Sequence, residues 1–541
     1  MSGPLADDEA PEVTTDADGH AARAAGSSAA SREEAGHFRG STILVFGRFI
    51  GLGLDLATQI IIVRALTRTE FGAFAFGLSV ASLAATIALL GLDKTISRFV
   101  PLYEEQQDER RLAGSLVFAF GVVAGVSALM LLVVLGMQAT VGERLVENAL
   151  AREMLLILFL LAPIRAFDSL MTSTFAVFGS TRSIVIRRNI IAPGLQLLIV
   201  LVVLLADQPP RILALGYVAA GALGIALFAS VLARQLRLRG IARRIRRRDV
   251  TLPGRALLSF SLPLLSSDVV MLLRTSVVVI LIQYLGTSRE VAAYGAVLPL
   301  ARQNLVIYQS FAFLFVPLAA RLYARGEDRR LRDMYWRTAA WIAVATFPAL
   351  VISVPLAGGV TVLLFGQSYA DSASVLAVLA IGHFVSAALG FNSVTLRVQG
   401  AVRLIVAVDV TAAIISVGGS ILLIPIYGAL GAAVATSATL IAQNLLYQRA
   451  LARTSVGVPE RRHVRTFIAI AAMIALLCLL QYTLQLWLIV GIALGGIAWL
   501  VLLLTSRRSL GIATYFPELL RIPGAKRLLV PAETETDPHA P

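Results

Sequence analysis

The run Ile191-Ala192-Pro193-Gly194-Leu195-Gln196-Leu197-Leu198-Ile199-Val200-Leu201-Val202-Val203-Leu204-Leu205-Ala206 holds one hydrogen-bonding side chain, Gln196, in sixteen residues. Asp207-Gln208-Pro209-Pro210 then turns the chain, and a second apolar run starts directly after it. Barrel strands are shorter and alternate apolar with polar. Neither this run nor Met154 to Leu161 alternates. A membrane-crossing helix needs about 20 mostly apolar residues, and such runs recur along the chain. Of 541 residues 57% are hydrophobic and 15% charged, against roughly 25% charged in soluble proteins. Mean hydropathy is +0.80. The apolar residues could supply at most about 15 spans at about 20 each. These figures exclude a soluble enzyme and a single-anchor protein. The expected fold is an all-α polytopic membrane protein.

Fourteen spans are expected, near 41–63, 73–97, 112–139, 154–178, 189–206, 211–233, 256–285, 291–323, 336–365, 372–396, 404–426, 428–450, 466–485 and 486–505. Residues 1–38, with eight acids and two bases, read as a disordered acidic tail with no cleavable leader. Residues 39–233 form a first six-helix bundle and 234–255 a basic linker containing Arg243-Arg244-Ile245-Arg246-Arg247-Arg248. Residues 256–450 form a second bundle, 451–505 two further helices and 506–541 a tail. Loops after even-numbered spans carry 28 arginines and those after odd-numbered spans 6. That bias places the even loops and both termini in the cytoplasm of a plasma-membrane protein. The basic linker fixes topology or touches anionic lipid headgroups; an excess of bases arranged this way does not point to nucleic acid. The only lysines are Lys94 and Lys526, and the one cysteine, Cys478, rules out a disulfide framework.

The two bundles repeat. Val177-Phe178-Gly179-Ser180-Thr181-Arg182-Ser183-Ile184-Val185 and Val398-Gln399-Gly400-Ala401-Val402-Arg403-Leu404-Ile405-Val406 share V-x-G-x-x-R-x-I-V at an offset of 221. Leu66 through Glu70 to Phe74 echoes Leu285 through Glu290 to Tyr294 near 220, and Gly142 pairs with Gly366 at 224. The offset covers six helices, an even number, so both halves enter the membrane in the same sense. That is a parallel repeat about an axis along the membrane normal.

Three stretches carry a family resemblance: Val63-Arg64-Ala65-Leu66-Thr67-Arg68-Thr69-Glu70-Phe71-Gly72-Ala73-Phe74, Leu364-Phe365-Gly366-Gln367-Ser368-Tyr369, and Leu423-Ile424-Pro425-Ile426-Tyr427-Gly428-Ala429-Leu430-Gly431-Ala432-Ala433-Val434-Ala435-Thr436. With the six-plus-six-plus-two layout, residues 39–505 resemble the polysaccharide-flippase (Wzx-like) branch of the multidrug/oligosaccharidyl-lipid/polysaccharide exporter superfamily. The resemblance implies two six-helix bundles around a central cavity that opens alternately to each side. It also implies that spans 1, 7 and 8 flank that cavity.

An ionisable group deep in a span costs about 2.5–3.5 kcal/mol on insertion scales and so marks a functional candidate. Span 1 carries Arg48 and Asp55, seven apart and on one face. Span 4 carries Arg165 and Asp168, span 7 Asp268 and Arg274, and span 8 Arg302, Gln303, Asn304, Tyr308 and Gln309. The repeat maps Arg48 near Asp268 and Asp55 near Arg274, so Arg48–Asp268 and Asp55–Arg274 are candidate cross-bundle pairs. Arginine binds phosphate with a planar, always-charged fork, and tyrosine and amides suit sugar hydroxyls. Arg48, Arg165, Arg274, Arg302, Tyr308 and Gln309 are therefore the candidate contacts for a polyprenyl-(pyro)phosphate-linked glycan. Asp55, Asp168 and Asp268 are candidates for coupling or ion pairing. Ion pairing within a bundle, without cargo, is the competing account of the whole set. His383 reads as a hydrogen-bonded core residue, and Asp409 as a lone carboxylate. Gly47-x-x-x-Gly51 and Gly491-x-x-x-Gly495 read as helix-packing sites.

No nucleotide loop, metal-ligand spacing or nucleophile constellation is visible, so no cofactor, metal or catalytic residue is expected. The leading function is a non-enzymatic lipid-linked oligosaccharide flippase for surface polysaccharide or glycoprotein assembly. It would be monomeric and act beside glycosyltransferases. A cation-coupled multidrug exporter, with Asp55 as coupling carboxylate, is the first alternative. A membrane glycan polymerase or ligase is the second, but the odd-side connections 64–72 and 140–153 look too short for it. A scaffold would leave the buried charges unexplained.

Overall fold

The computed structural model describes residues 47–138, 149–178, 186–241, 243, 250–454 and 456–510. The acidic tail, the start of expected span 1, most of the basic linker, Gly142, the first repeat motif from Gly179 onward and the segment after 510 lie outside the described residues. Among the described residues every regular element is helical. The first half comprises α1 (47–65), α2 (Arg68–Leu89), α3 (Leu92–Glu105), α4 (Glu109–Gln138), α5 (Ala149–Phe159), α6 (Leu161–Phe178), α7 (Ala192–Leu205, entered through one wide π turn at Arg187–Ile191) and α8 (Pro210–Leu238). The second half comprises α9 (Gly254–Leu285), α10 (Ser288–Ala301), α11 (Asn304–Ala324), α12 (Asp328–Ser353), α13 (Ala357–Phe365), α14 (Ser372–Ala388), α15 (Phe391–Val398) and α16 (Val402–Leu451). Helices α17 (Arg461–Leu484) and α18 (Leu488–Leu510) follow.

Among the described residues eleven helices are long and apolar enough to cross a membrane, or up to twelve if the bent pair Ser288–Ala312 and Phe315–Ala324 is one span. The expected count of fourteen exceeds this, and the difference falls at two places. Expected spans 11 and 12 are counted once because they share the helical run of α16, but they are two helices: the chain turns back at Gly428, whose φ of 55° and ψ of −132° are not helical, and Asp409 before the turn meets Gln443 and Tyr447 after it. Expected span 1 is helical over 47–65 but carries Arg48, Asp55 and Arg64.

Local chemistry explains the helix starts. Thr67 accepts from the Glu70 backbone N–H while the Glu70 carboxylate accepts from the Thr67 N–H at 2.8 Å. Thr287 and Glu290 repeat this reciprocal cap, with the carboxylate at 2.7 Å. Each box satisfies two N–H groups that a helix start leaves open. The two boxes are 220 residues apart, so the repeat expected from sequence is visible as local structure at this point.

Lipid contact accounts for the outer surface. Leu205 is 86% exposed. Tyr482, near the end of α17, and Trp487, in the turn before α18, are 85% and 82% exposed. Amphipathic rings at a hairpin tip suit the membrane–water boundary. The largest core joins both halves through Ile62, Phe71, Phe74 and Phe76 of the first and Val278, Ile282, Val297 and Phe347 of the second. Two further cores belong to one half each: Leu92, Ile96 and Val100 in the first, Phe315, Tyr335 and Trp336 in the second. The halves therefore meet at the end holding the α1–α2 and α9–α10 turns. Toward the other end the first part of α9 leans onto α3: Phe260 packs edge-on against Phe99 at 5.6 Å between ring centres. Helices α17 and α18 rest on the second half, where Trp499 Nε1 donates to the Val344 carbonyl at 2.9 Å. A Cβ at Gly491 would lie 2.4 Å from Leu356 and one at Gly495 2.6 Å from Val351, so that G-x-x-x-G is a packing site. Gly51 meets the Asn189 backbone in the same way, at 2.8 Å.

The tightest approach between the halves is Gly72 on α2, where a Cβ would fall 1.8 Å from the Ser288 carbonyl oxygen at the start of α10. Gly72→Leu should therefore destabilise the purified protein by about 1–3 kcal/mol or more through overpacking. Gly121→Ala, on α4 with open space around it, should be neutral or slightly stabilising. Melting temperatures in detergent check both, and equal behaviour of the two variants would remove Gly72 as the contact point.

Candidate functional site

Four helical breaks organise the interior. Leu90 and Gly91, with φ of 50° and 70°, separate α2 from α3. Leu160 separates α5 from α6, Arg302 and Gln303 separate α10 from α11, and Leu389 and Gly390 separate α14 from α15. They fall in expected spans 2, 4, 8 and 10, which are repeat counterparts in pairs. Discontinuous helices in matching places of two halves free backbone groups at membrane depth and point to a binding region.

In the first half a polar cluster forms beside these breaks. Arg165 Nη1 on α6 donates to the Ser82 hydroxyl on α2. Tyr217 on α8 lies beside Arg165 and Gln196 and within electrostatic range of Asp55 on α1. The Phe74 ring holds the Tyr217 ring edge-on at 5.4 Å. Asp55 is exposed although it sits mid-helix. The structure thus brings Asp55 and Arg165 into one group and adds Ser82, Gln196 and Tyr217. Sequence reasoning passed over those three, although Gln196 stands alone in its apolar run.

The remaining charges divide by partner. Asp168 forms an ion pair with Arg187, whose guanidinium also lies 3.5 Å from the Phe228 ring centre and 3.2 Å from the Thr172 hydroxyl. Asp268 pairs with Lys94 at 2.5 Å. The pair crosses between the halves, as expected of Asp268, but the base is Lys94 of α3 rather than Arg48. Spacing along one helix orders faces on that helix and does not choose a partner on another. Arg48 is half-buried in the first turn of α1. The side chain of Arg274 lies outside the described residues, so the Asp55–Arg274 pairing is not described either. Asp409 does not stand alone: it accepts from Gln443 Nε2 at 2.5 Å and Tyr447 Oη at 2.6 Å, both on the returning arm of α16 beyond the turn at Gly428.

In the second half Arg302, at the α10–α11 break, lines a cavity of about 40 Å³ with Thr275, His383, Ser416, Thr436, Thr439 and Leu440. Tyr294 and Thr436 share a hydrogen bond of 3.1 Å beside it. Tyr308 is held elsewhere: its hydroxyl donates to the Gly390 carbonyl at 3.4 Å and its ring packs on Phe391. Gln309 is exposed.

At the end where the halves meet, two of the stretches that carried the family resemblance touch, and the third lines the cavity beside them. Arg68 binds Asp371 at 3.0 Å, donates to the Ser368 carbonyl at 2.9 Å and lies 5.2 Å from the Tyr369 ring centre. Arg64 donates to the carbonyls of Leu364, at 2.8 Å, and Leu363. The Glu290 carboxylate sits against Gly428, where a Cβ would lie 2.1 Å from it. A cavity of about 380 Å³ opens beside this latch, lined by Arg68, Arg289, Glu290, Asp371 and Tyr427 among others. Among the described residues no cluster of three or more acidic, histidine or cysteine side chains could hold a metal.

Comparison with known proteins gives the family. A family model described as polysaccharide biosynthesis protein matches residues 38–322. Among solved structures the chain is similar to an inward-facing multidrug resistance MATE family transporter of the MOP superfamily, at TM-score 0.61 and 15% identity, covering 74% of this chain and 95% of that one. It is similar to the MATE multidrug transporter DinF-BH, at TM-score 0.52 and 13% identity over 77% and 96% of the two chains. It is similar also to a MATE protein in the bent conformation, at 0.51 and 17% over 77% and 96%. No curated protein matches the chain. The family model covers more than half of the sequence, and the chain is a multi-pass membrane protein that belongs to the polysaccharide biosynthesis protein family and has the fold of the MATE transporters of the MOP superfamily.

Proposed function

We propose that this protein flips a polyprenyl-(pyro)phosphate-linked glycan from the cytoplasmic to the outer leaflet of the plasma membrane by alternating access. The observation that carries the reading is the arginine-centred polar cluster inside the first half, in a chain of the polysaccharide biosynthesis family. Arg165 offers the fork that a phosphate needs. Gln196 and Tyr217 offer neutral donors and acceptors suited to sugar hydroxyls. Arg48 and Arg274 complete the cationic set. Arg302 lines a cavity too small for a sugar phosphate and is assigned a supporting place in the second half, with Tyr308 and Gln309 contributing from α11. Asp55, Asp168 and Asp268 balance the cations.

With the even loops and both termini cytoplasmic, the Arg68–Asp371 latch closes the outer side and cargo enters from the cytoplasmic side. The protein works as a monomer beside the glycosyltransferases that complete its cargo, and membrane lipids surround the apolar belt. Drug export is the second reading, favoured by the exposed mid-helix carboxylate of Asp55. An exporter coupled through Asp55 would lose transport on Asp55→Asn and tolerate Arg165→Ala.

Two measurements test the proposal. Hydrogen bonds to a charged group contribute about 1.5–3 kcal/mol, so Arg165→Ala should lower surface glycan about 10- to 100-fold in a flippase-deficient strain. Arg165→Lys should restore only part of it. Amounts are normalised to membrane-inserted protein. Full export by a well-inserted Arg165→Ala protein would remove the phosphate role. The latch is tested by Arg68→Cys with Asp371→Cys in a Cys478→Ser background. Oxidation should stop export and reduction should restore it; unchanged export by the cross-linked protein would end alternating access through that end.

A further inference from the structure

The first half and the start of α9 meet at a second place, toward the end opposite the Arg68–Asp371 latch. A Cβ at Gly91 would lie 2.9 Å from the Ser261 carbonyl oxygen, and the Thr251 N–H donates to the Arg110 carbonyl at 3.1 Å. The Arg98 guanidinium lies over the Phe260 ring, 4.4 Å from its centre. Three ionisable side chains come together at this junction: Asp93 and Lys94 in the first turn of α3, and Asp268 on α9.

The charges of this trio do not balance. Lys94 Nζ is 2.5 Å from Asp268 Oδ1. Asp93 is a second carboxylate within electrostatic range of both. Helices α4, α6 and α9 pack on α3, and Lys94 and Asp268 are the charged groups in range of Asp93. The N–H groups of Asp93 and Lys94 support the Asp93 carboxylate, yet its Oδ1 is buried and has no hydrogen-bond partner among the described residues. A buried carboxylate oxygen that nothing meets is costly while it is charged. The identity of the base sharpens the point, because of 47 bases only Lys94 and Lys526 are lysine. A guanidinium fork here could hold both carboxylates at once. An ammonium seated on Asp268 leaves Asp93 Oδ1 unmet. A metal cation beside that ammonium would be repelled, whereas a proton sits on the oxygen itself. Lys94 keeps 40% side-chain exposure and Asp268 19%, so water reaches the trio for exchange.

We infer that Asp93 Oδ1 binds one exchangeable proton while α3 and α9 are joined and releases it when they part, so that the trio is a proton-operated catch between the halves. In the joined state protonated Asp93, the Lys94 ammonium and the Asp268 carboxylate sum to zero charge. On parting, water reaches Asp93, its O–H bond breaks and the proton leaves to water; no other bond changes. Acid therefore favours the joined state. The inference does not depend on the cargo. The full chain in detergent, with Cys478→Ser, carries spin labels at Leu102→Cys on α3 and Leu262→Cys on α9, both exposed. Distances are measured from about pH 5 to about pH 9, and the ratio of parted to joined protein should rise about tenfold per pH unit above its midpoint, the slope of one proton. Asp93→Asn keeps the shape without the exchangeable proton, and its ratio should stay flat. Lys94→Arg, with a fork for both carboxylates, should also stay flat. A flat ratio in the labelled chain with Asp93 and Lys94 intact would overturn the assignment. So would the full pH response in Asp93→Asn or in Lys94→Arg. Glycan export is not part of this readout, so the proton site and the flippase reading stand or fall separately.

Discussion

Hydrocarbon offers no hydrogen-bond partner, and the architecture follows from that constraint. Backbone groups close within helices. Side-chain hydroxyls turn back onto their own helix: Thr58 donates to Leu54, Thr174 to Leu170, Thr346 to Ile342 and Thr411 to Ala407. Several charges are matched in place, Asp168 by Arg187, Asp268 by Lys94 and Asp409 by Gln443 and Tyr447. Against this background the exceptions carry meaning. Spans 2, 4, 8 and 10 break in matching pairs, and the second-half cavity lies at one of these breaks, with Arg302 on the break itself.

The contacts between the halves separate by what opening them would cost. An ion pair at a water-facing surface contributes about 0–1 kcal/mol. Arg68 and Asp371 retain 22% and 62% side-chain exposure, so water can replace their bond almost without penalty. Apolar burial behind them, where Phe71, Phe74 and Phe76 meet residues of α9 and α10, is the stronger restraint. In the proposed cycle the ion pair would set register, while packing at Gly72 and behind it would set how long that end stays shut. A gate held by charge alone would be loose, and one held by packing alone would lack a defined seat.

Much of this was legible in the sequence. Long apolar runs gave helices, and the offset near 220 is visible locally in the two capping boxes. The stretches around Arg68 and Ser368 were singled out for resemblance and for the repeat; the structure supplies a physical reason, because they touch across the two halves, while the stretch around Gly428 packs against Glu290 within the second half. Other features were out of reach. The break at Leu90 puts a leucine in the left-handed region, which no propensity flags, and only Gly91 beside it hints at the turn. Lys94 was noted as one of two lysines but not as the partner of Asp268, because pairing between helices depends on their placement. The turn that separates spans 11 and 12 falls at Gly428, while Pro425 before it stays within the helix.

The polar groups at the breaks of the two halves also correspond, although divergence hides it. Position by position, the arginine of the first half, Arg165, aligns with His383, and Arg302 aligns with Ser82. A linear comparison therefore finds no shared arginine. In space Arg165 reaches across from α6 to Ser82 on α2, while Arg302, at the end of α10, lines one cavity with His383 of α14. Each half thus places one guanidinium near the same two helix positions, rooted on opposite members of the pair. An arginine side chain is long enough for either root to deliver the charge to one place. The geometry of the repeated helices fixes where the positive charge lies and leaves open which helix provides it.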